Sequence, residues 1–291
     1  MVRPGIARYD GHAQWYDETF SASLKAEEVA FLRESLGPGR GQACLDVACG
    51  TGRFGRILAE AGYRPAGFDI SADQLRFARP RLAAVVRADA RLLPVRDASV
   101  AAAAGMFFHT DVEDFGAVVS EVARCLRPGG RFVYLGLHPC FVGPFVYRVA
   151  ESEDLALNFA TGYGTSGWAD RGSGDGTVIG RRVGFHHKTL ANFLEAFARA
   201  GLAIRAVREF YTAGHAVLPW NLALATEKYA PTTANPPASR PAAAPALRVM
   251  LTRPALSPPH HRVYLPPVFR GVSTHDHGPR LRAVRVISNL R

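Results

Sequence analysis

The sequence predicts an α/β protein: a doubly wound, mostly parallel seven-stranded sheet with an antiparallel edge strand, followed by a disordered C-terminal tail. Three observations predict it. Short apolar runs alternate with amphipathic helical periods between Ala43 and Thr226. The first of these runs leads through a glycine-rich turn, Asp46-Val47-Ala48-Cys49-Gly50-Thr51-Gly52-Arg53-Phe54-Gly55, straight into a helical period. Beyond residue 230 the alternation stops, and 11 of the chain's 20 prolines gather there.

The elements follow in order. Residues 1–40 read as a helical leader or lid: Tyr9, Trp15 and Tyr16 mark a polar-aromatic stretch, and Ser23–Leu36 has helical spacing ended by Gly37-Pro38-Gly39. Cys44–Val47 is the first strand, and Phe54–Ala61 is a helix stopped by Gly62. Pro65–Ile70 is a strand closed by an acid, Ser71 caps a helix running to Arg79, and Ala83–Arg87 is the third strand. Ser99–Phe108 is an alanine-rich fourth strand. Asp114–Leu126 places Phe115, Val118, Val119, Val122 and Leu126 on one helical face. Pro128-Gly129-Gly130 then turns into a fifth strand, Arg131–Leu137. Residues 139–185, glycine-rich with scattered aromatics, break the rhythm and read as a substrate-side insertion. Thr189–Ala200 is a helix. Ala203–Tyr211 and His215–Thr226 are two strands expected to pair antiparallel at one sheet edge. The main domain therefore spans 41–229. The tail, 230–291, is Pro/Arg-rich with no sustained period.

Composition excludes several classes. Apolar residues make up 48% and charged residues 21%, which places the bulk of the chain among globular proteins. No apolar run reaches the length of a membrane span, and Met1–Tyr9 lacks a signal-peptide pattern. Cys44, Cys49, Cys125 and Cys140 form no C-x-x-C pair, so a reduced cytoplasmic protein is expected, with no metal site. The formal charge of +10 points at first to nucleic acid. Residues 231–291 hold nine arginines against a single acid, Asp276, whereas residues 1–230 hold 26 basic and 24 acidic groups. The body is nearly neutral, which argues against a nucleic-acid or membrane partner.

The glycine turn carries the chemistry. Gly50 and Gly52 let the backbone bend tightly and let a ligand approach with no Cβ between. The following helix N-terminus suits an anionic group, and the loop opens onto the ligand crevice of a doubly wound sheet. Gly50-x-Gly52-x-x-Gly55 alone also matches a dinucleotide fingerprint. Asp46, just ahead of the loop, would repel a pyrophosphate but would help to hold an amine. Asp69 ends the second strand, where a carboxylate can accept both hydroxyls of a ribose. Asp89 follows the third, where it can accept from an adenine amino group. Three carboxylates at successive strand ends suit a cationic nucleoside. Each alone also reads as a turn cap or a solvated strand end, and the ordered set is what carries weight.

With these residues in hand, D-V-A-C-G-T-G (46–52) resembles motif I of the class I S-adenosylmethionine-dependent methyltransferases. The resemblance extends to G-F-D-I-S (67–71), R-A-D-A (87–90) with L-P (93–94), and C-L-R-P-G-G-R-F (125–132), and is closest to the small-molecule group that includes the quinone-biosynthesis enzymes. It implies a Rossmann-like methyltransferase domain with S-adenosyl-L-methionine as cofactor. It also implies roles: Asp46 and the Ala48–Gly52 backbone, with Gly50 and Thr51, for the methionine end; Asp69 for the ribose, with Ile70 against the adenine; Asp89 and Ala90 flanking the adenine; Phe107 near the methionine moiety. The fourth strand lacks the acid that often opens it in this family, Asp97 lying two residues earlier. No N/D-P-P-Y-type tetrapeptide follows that strand, and this lowers the odds of DNA-base or glutamine methylation.

For the acceptor side the expected catalytic candidates are His109, His138 and His187, each near a carboxyl strand edge or a helix start. Expected acceptor contacts are Tyr16, Tyr163, Trp168 and His186, with Tyr147 in the same insertion. The expected partner is a small-molecule methyl acceptor. Two other readings stand beside this one: an NAD(P)-dependent Rossmann oxidoreductase, from the glycine spacing, and an RNA-binding protein or RNA methyltransferase, from the charge.

Overall fold

The computed structural model describes residues 7–20, 24–143, 145–148, 155–157, 162–169, 178–212, 215–230 and 285–286. The expected disordered tail falls outside these residues, except for Ala230 and the Arg285–Val286 pair, and so does part of the 139–185 insertion.

In chain order the elements are α1 (Ala13–Thr19), α2 (Ala26–Leu36), β1 (Ala43–Val47), α3 (Gly55–Glu60), β2 (Arg64–Asp69), α4 (Ala72–Ala78), β3 (Ala84–Arg87), β4 (Val100–Met106), α5 (Phe115–Cys125) and β5 (Leu126–Leu137). Short strands β6 (Val146–Arg148), β7 (Leu155–Leu157) and β8 (Gly167–Ala169), then α6 (Val178–Val183) and β9 (Phe185–His187), occupy the insertion. Helix α7 (Leu190–Arg199) and strands β10 (Leu202–Thr212) and β11 (His215–Lys228) follow, and β12 (Arg285–Val286) pairs parallel to β7.

The main sheet has seven strands in the order β10-β11-β5-β4-β1-β2-β3. Strands β1 to β5 run parallel, and β11 runs against both β5 and β10, so the β10–β11 hairpin forms one edge as expected. The strand order reverses at β1, which has β2 on one side and β4 on the other. The loops after β1 and β4 leave there toward opposite faces, and this opens the crevice in which doubly wound sheets bind ligands.

Each face of the sheet carries its own core. On one side α5 and α7 press Phe115, Val118, Val122, Phe193 and Phe197 onto Phe132 and Tyr134. Phe115 and Phe193 stack at 5.2 Å with their planes 14° apart, a geometry that adds to simple burial. On the other side α2 and α3 cover Cys44, Ala102, Ala104, Val133 and Leu135 with Phe31, Leu32, Leu36 and Leu58. The alanine-rich strand β4 lies between these layers, with Ala103 facing the first and Ala102 and Ala104 the second. Small residues suit a central strand flanked by aromatic rings. A Cβ on Gly105 would come within 2.5 Å of the Phe108 ring.

Three local features differ from the sequence reading. Strand β5 starts at Leu126, directly after α5, so Pro128-Gly129-Gly130 lies within the strand, and the irregularity is taken up by a register shift against Val100–Ala102 of β4. Helix α3, Gly55–Glu60, is one residue shorter at each end than Phe54–Ala61, with Phe54 and Ala61 as its caps. His186 and His187 lie on β9, paired with Gly167–Ala169, and not on a plain loop before α7. The helix caps agree with the sequence: the Gln74, Ala117 and Asn192 amides donate to Ser71 Oγ, Asp114 Oδ1 and Thr189 Oγ1. All four cysteines are free.

Candidate functional site

The turn after β1 is built by its own backbone. The Cys49 amide bonds the Phe68 carbonyl at 3.0 Å, and the Gly52 and Gly55 amides close successive turns onto Cys49 and Gly52. Ala48, Gly50 and Gly52 take φ of +53°, +54° and +73°. Gly52 has no alternative, because a Cβ there would meet the Ala78 backbone at 3.0 Å.

Asp69, at the end of β2, locks this turn to the next helix. Its Oδ2 accepts the Gly50 amide at 2.8 Å and its Oδ1 the Ser71 amide at 2.9 Å. Burial still holds its carboxyl above the usual range. Asp46 lies one strand over and is 1% exposed. Burial, with Asp69 adding repulsion, pushes its carboxyl up to about 7. Among the described residues its Oδ2 has no protein partner, and the same holds for Gln74 Oε1 and Arg53 Nε nearby. Buried polar atoms left unpaired around one loop fit a polar ligand there, and two repelling carboxylates fit a cationic one. After β3, Asp89 is clasped by Arg91 through the Arg91 amide at 2.9 Å and the guanidinium at 2.7 Å.

These groups face a cavity of about 460 Å³. Of the expected cofactor residues, Ala48, Gly50, Thr51, Asp69, Ile70, Asp89, Ala90 and Phe107 line it, whereas Asp46 and Gly52 do not. Phe107 lines it from a strained backbone, φ +57°, which is uncommon for a bulky residue and typical of functional sites.

The N-terminal segment forms part of the wall. Tyr9 and Tyr16 line the cavity with Arg8; Trp15 does not, and packs instead on Phe20 and beneath Arg182. The segment is pinned to α4: Ser71 Oγ donates to Asp10 Oδ1 at 2.5 Å, the Gly11 amide donates to Asp73, and Arg81 pairs with Asp17 through both oxygens. The Arg8 guanidinium lies 3.5 Å over the Trp168 ring and donates to the Val183 carbonyl.

Of the expected acceptor-side residues, Tyr16 and Trp168 reach the cavity lining; Tyr163, His186, His109, His138 and His187 do not. Each of the four imidazoles has at least one ring nitrogen engaged elsewhere. His109 Nδ1 lies 2.6 Å from the Tyr134 hydroxyl, inside an aromatic cluster with Phe115 and Phe193. His138 bonds Glu209 through Nε2 at 2.9 Å and accepts the Cys140 amide at Nδ1. His187 Nε2 meets the Tyr163 carbonyl at 2.7 Å, and His186 Nδ1 meets Lys188 Nζ at 2.7 Å. Burial lowers the basicity of all four imidazoles, that of His186 to about 4. The Tyr147 side chain lies outside the described residues.

Several lining residues escape the sequence reading: Arg8, Arg53, Gln74, Arg91, Asp111 and Val112. Gln74 had a signal, since Ser71-x-x-Gln74 is a capping-box spacing, yet here its side chain lines the cavity. Asp111 had none, because only the distant Tyr9 marks it.

Fold, glycine turn and strand-end carboxylates define the class: the chain belongs to the class I S-adenosylmethionine-dependent methyltransferase superfamily. A family described as a methyltransferase domain matches residues 44–130. Among curated relatives, the chain is similar to a demethylmenaquinone methyltransferase of Tropheryma whipplei (strain Twist). The two are 35% identical over 146 residues, which cover 47% of this chain and 61% of that protein. It is also similar to a malonyl-[acyl-carrier protein] O-methyltransferase of Pseudescherichia vulneris, 31% identical over 137 residues, 46% of this chain and 54% of that one. The match thus spans less than two thirds of either relative. Among solved structures, an S-adenosylmethionine-dependent methyltransferase from Mesorhizobium loti superposes with a TM-score of 0.58 at 25% identity, covering 70% of this chain and 98% of its own. Among the described residues, no helix is long and apolar enough to cross a membrane.

Proposed function

We propose that the chain transfers the methyl group of S-adenosylmethionine to a small-molecule acceptor. The observation that carries this reading is the gathering of the glycine turn, Asp69, Ile70, Asp89, Ala90 and Phe107 on one cavity wall, with the unpartnered Asp46 carboxylate beneath it. When bound, the cofactor supplies an electrophilic methyl group on a sulfonium. The protein then contributes placement and exclusion of water. Asp46, buried behind the cavity lining, would favour the amine of the methionine end by its charge, Asp69 would accept from the ribose hydroxyls, and Asp89, fixed by Arg91, would meet the adenine edge beside Ile70 and Ala90. Arg53, within 4.3 Å of the Phe54 ring and 5.5 Å of Tyr16, braces the wall on which Phe107 lies.

Residues 1–40 act as a lid on this site, with Tyr9 and Tyr16 on its inner side. The 139–185 insertion supplies the acceptor end through Trp168. The demethylmenaquinone and malonyl-carrier enzymes it resembles act, by their names, on acceptors that are not nucleic acids, and the nearly neutral body supports the same for this chain.

Titration calorimetry tests the reading. Saturable binding of S-adenosylhomocysteine with no binding of NADH or NADPH is the expected result. Tight nicotinamide binding with none of S-adenosylhomocysteine would overturn it. Retained RNA binding by a chain truncated after residue 230 would overturn the small-molecule assignment.

A further inference from the structure

We propose that Asp111 is the residue that takes the acceptor's proton during methyl transfer, a role that rests on the cofactor reading above. The acceptor it fits carries a proton on the atom to be methylated, as a hydroxyl or a neutral amine does.

The geometry singles out this carboxylate. Asp111 lies on the loop from β4 to α5, four residues beyond Phe107, and lines the cavity near Phe108, Val112 and Trp168. Its amide closes a turn on the Phe108 carbonyl at 2.9 Å. The Tyr9 hydroxyl donates to Oδ1 at 3.2 Å, and among the described residues nothing donates to Oδ2. One oxygen is therefore oriented, and on a residue that lines the cavity the other accepts no hydrogen bond among the described residues. Behind the loop, Lys188 Nζ donates to the carbonyls of His109 and Val112, which bracket Asp111 in sequence, and meets His186 Nδ1. Lys188 is a positioning residue: it fixes the loop on both sides of Asp111 without bonding its carboxylate. The nearby histidines are engaged with Tyr134, Glu209, Tyr163 and Lys188, as described above.

The step balances. A lone pair on the acceptor atom forms the new bond to the methyl carbon, and the sulfur–carbon electron pair stays on sulfur. The acceptor's proton passes to Asp111 Oδ2. A positive sulfonium and a negative carboxylate thus both become neutral in one step. A partly desolvated site favours that outcome, because charge is what burial penalises. The charged or titratable groups around Asp111 include Tyr9, Tyr16, Arg8, Asp69, Lys188 and Tyr134, with Glu113 and Asp114 on the same stretch of cavity lining. Burial, opposed by the Tyr9 bond and reinforced by Asp69, pushes the Asp111 carboxyl up to about 7, with Lys188 and Arg8 opposing the rise.

Calorimetry without any acceptor tests this. S-adenosylmethionine and S-adenosylhomocysteine differ by the methyl group and the sulfonium charge. Each is titrated into the full chain at pH 7 in two buffers of different protonation enthalpy, which reads the protons released on binding. The sulfonium should favour the ionised form of Asp111, so S-adenosylmethionine should release more protons on binding than S-adenosylhomocysteine. That difference is the proton Asp111 takes up when the methyl group leaves. It should vanish in Asp111→Asn. In Tyr9→Phe it should grow, because the bond that favours the ionised form is gone; this second variant also covers a folding failure of the first. Equal release by the two ligands in the unaltered chain overturns the role of Asp111 and leaves the cofactor reading standing. An excess that persists in Asp111→Asn overturns it too, by assigning the proton to another group such as Lys188. Failure of both ligands to bind overturns the cofactor reading itself and this role with it.

Discussion

Asp69 grips Gly50 and Ser71 at once, one carboxylate oxygen on each amide, so a single side chain sets the spacing between the glycine turn and the start of α4. Removing it therefore acts on both the ligand and the loop. Asp69→Ala is expected to weaken S-adenosylhomocysteine binding by roughly 1.5–3 kcal/mol, the range for hydrogen bonds to a charged group. Calorimetric affinity checks this, and an unchanged Kd would remove the ribose assignment.

The backbone of the turn offers a stability test that needs no ligand. Ala48 sits at φ +53°, where an L-residue pays a steric penalty and glycine does not. Ala48→Gly is expected to stabilise the fold by roughly 0.5–1 kcal/mol, part of the strain relief being offset by the freer unfolded chain. Gly52→Ala is expected to destabilise it by more than ~1 kcal/mol, because it adds both the strain and a contact with the Ala78 backbone. Urea unfolding of the pair should show shifts of opposite sign.

Asp46 makes the fold sensitive to pH. Its folded value of about 7 lies above its ordinary value of 3.8, so the folded chain binds that proton more tightly than the unfolded one. Stability must then fall as pH rises from about 4 to about 7. Other buried groups titrate in the same window, notably the imidazoles, so the informative quantity is the difference from Asp46→Asn. Relative to that variant, the unaltered chain is expected to lose stability on the order of a few kcal/mol between pH 5 and 8. Denaturant midpoints at the two pH values measure it, and a flat difference would refute the buried-carboxylate account.

Tyr134 and His109 form a buried pair at 2.6 Å inside the aromatic cluster under α5 and α7. Tyr134→Phe leaves the imidazole nitrogen without a partner at nearly unchanged volume. A loss of roughly 1–3 kcal/mol in unfolding free energy is expected, with S-adenosylhomocysteine affinity unchanged. A fall in affinity of comparable size would mean that this cluster reaches the ligand after all.

The part of the candidate site around the glycine turn was legible in the sequence because it is local. Asp46, the glycine turn, Asp69 and Asp89 each sit at a strand end that the alternation of apolar runs locates, and the cap at Ser71 follows from residue type alone. The cavity wall formed by the N-terminal segment, Asp111 and Trp168 was not legible, because it is assembled across long separations. Arg8 meets Trp168, and Tyr9 meets Asp111 from 102 residues away. Neither pair has any periodic or spacing signal. The histidines drew attention by residue type, yet packing decides their role: His109 lies among phenyl rings, and His186 and His187 lie on a strand that exists only because Gly167–Ala169 comes alongside it. The early start of β5 escaped notice for a similar reason. Pro128-Gly129-Gly130 reads as a turn, and only the neighbouring β4 shows that it can be held as an irregular strand.

The position of β11 has a consequence for how the chain is made. It lies between β5 and β10, yet it is the last strand of the sheet to be synthesised. Until residue 228 has left the ribosome, the long strand β5 offers an unpaired row of amides and carbonyls to the solvent. Nascent or prematurely terminated chains that lack His215–Lys228 should therefore be sticky at that edge and should depend on chaperones. The hairpin that comes last covers β5 and leaves β10 at the edge instead, a strand whose register shifts against β11 make it a poorer template for pairing.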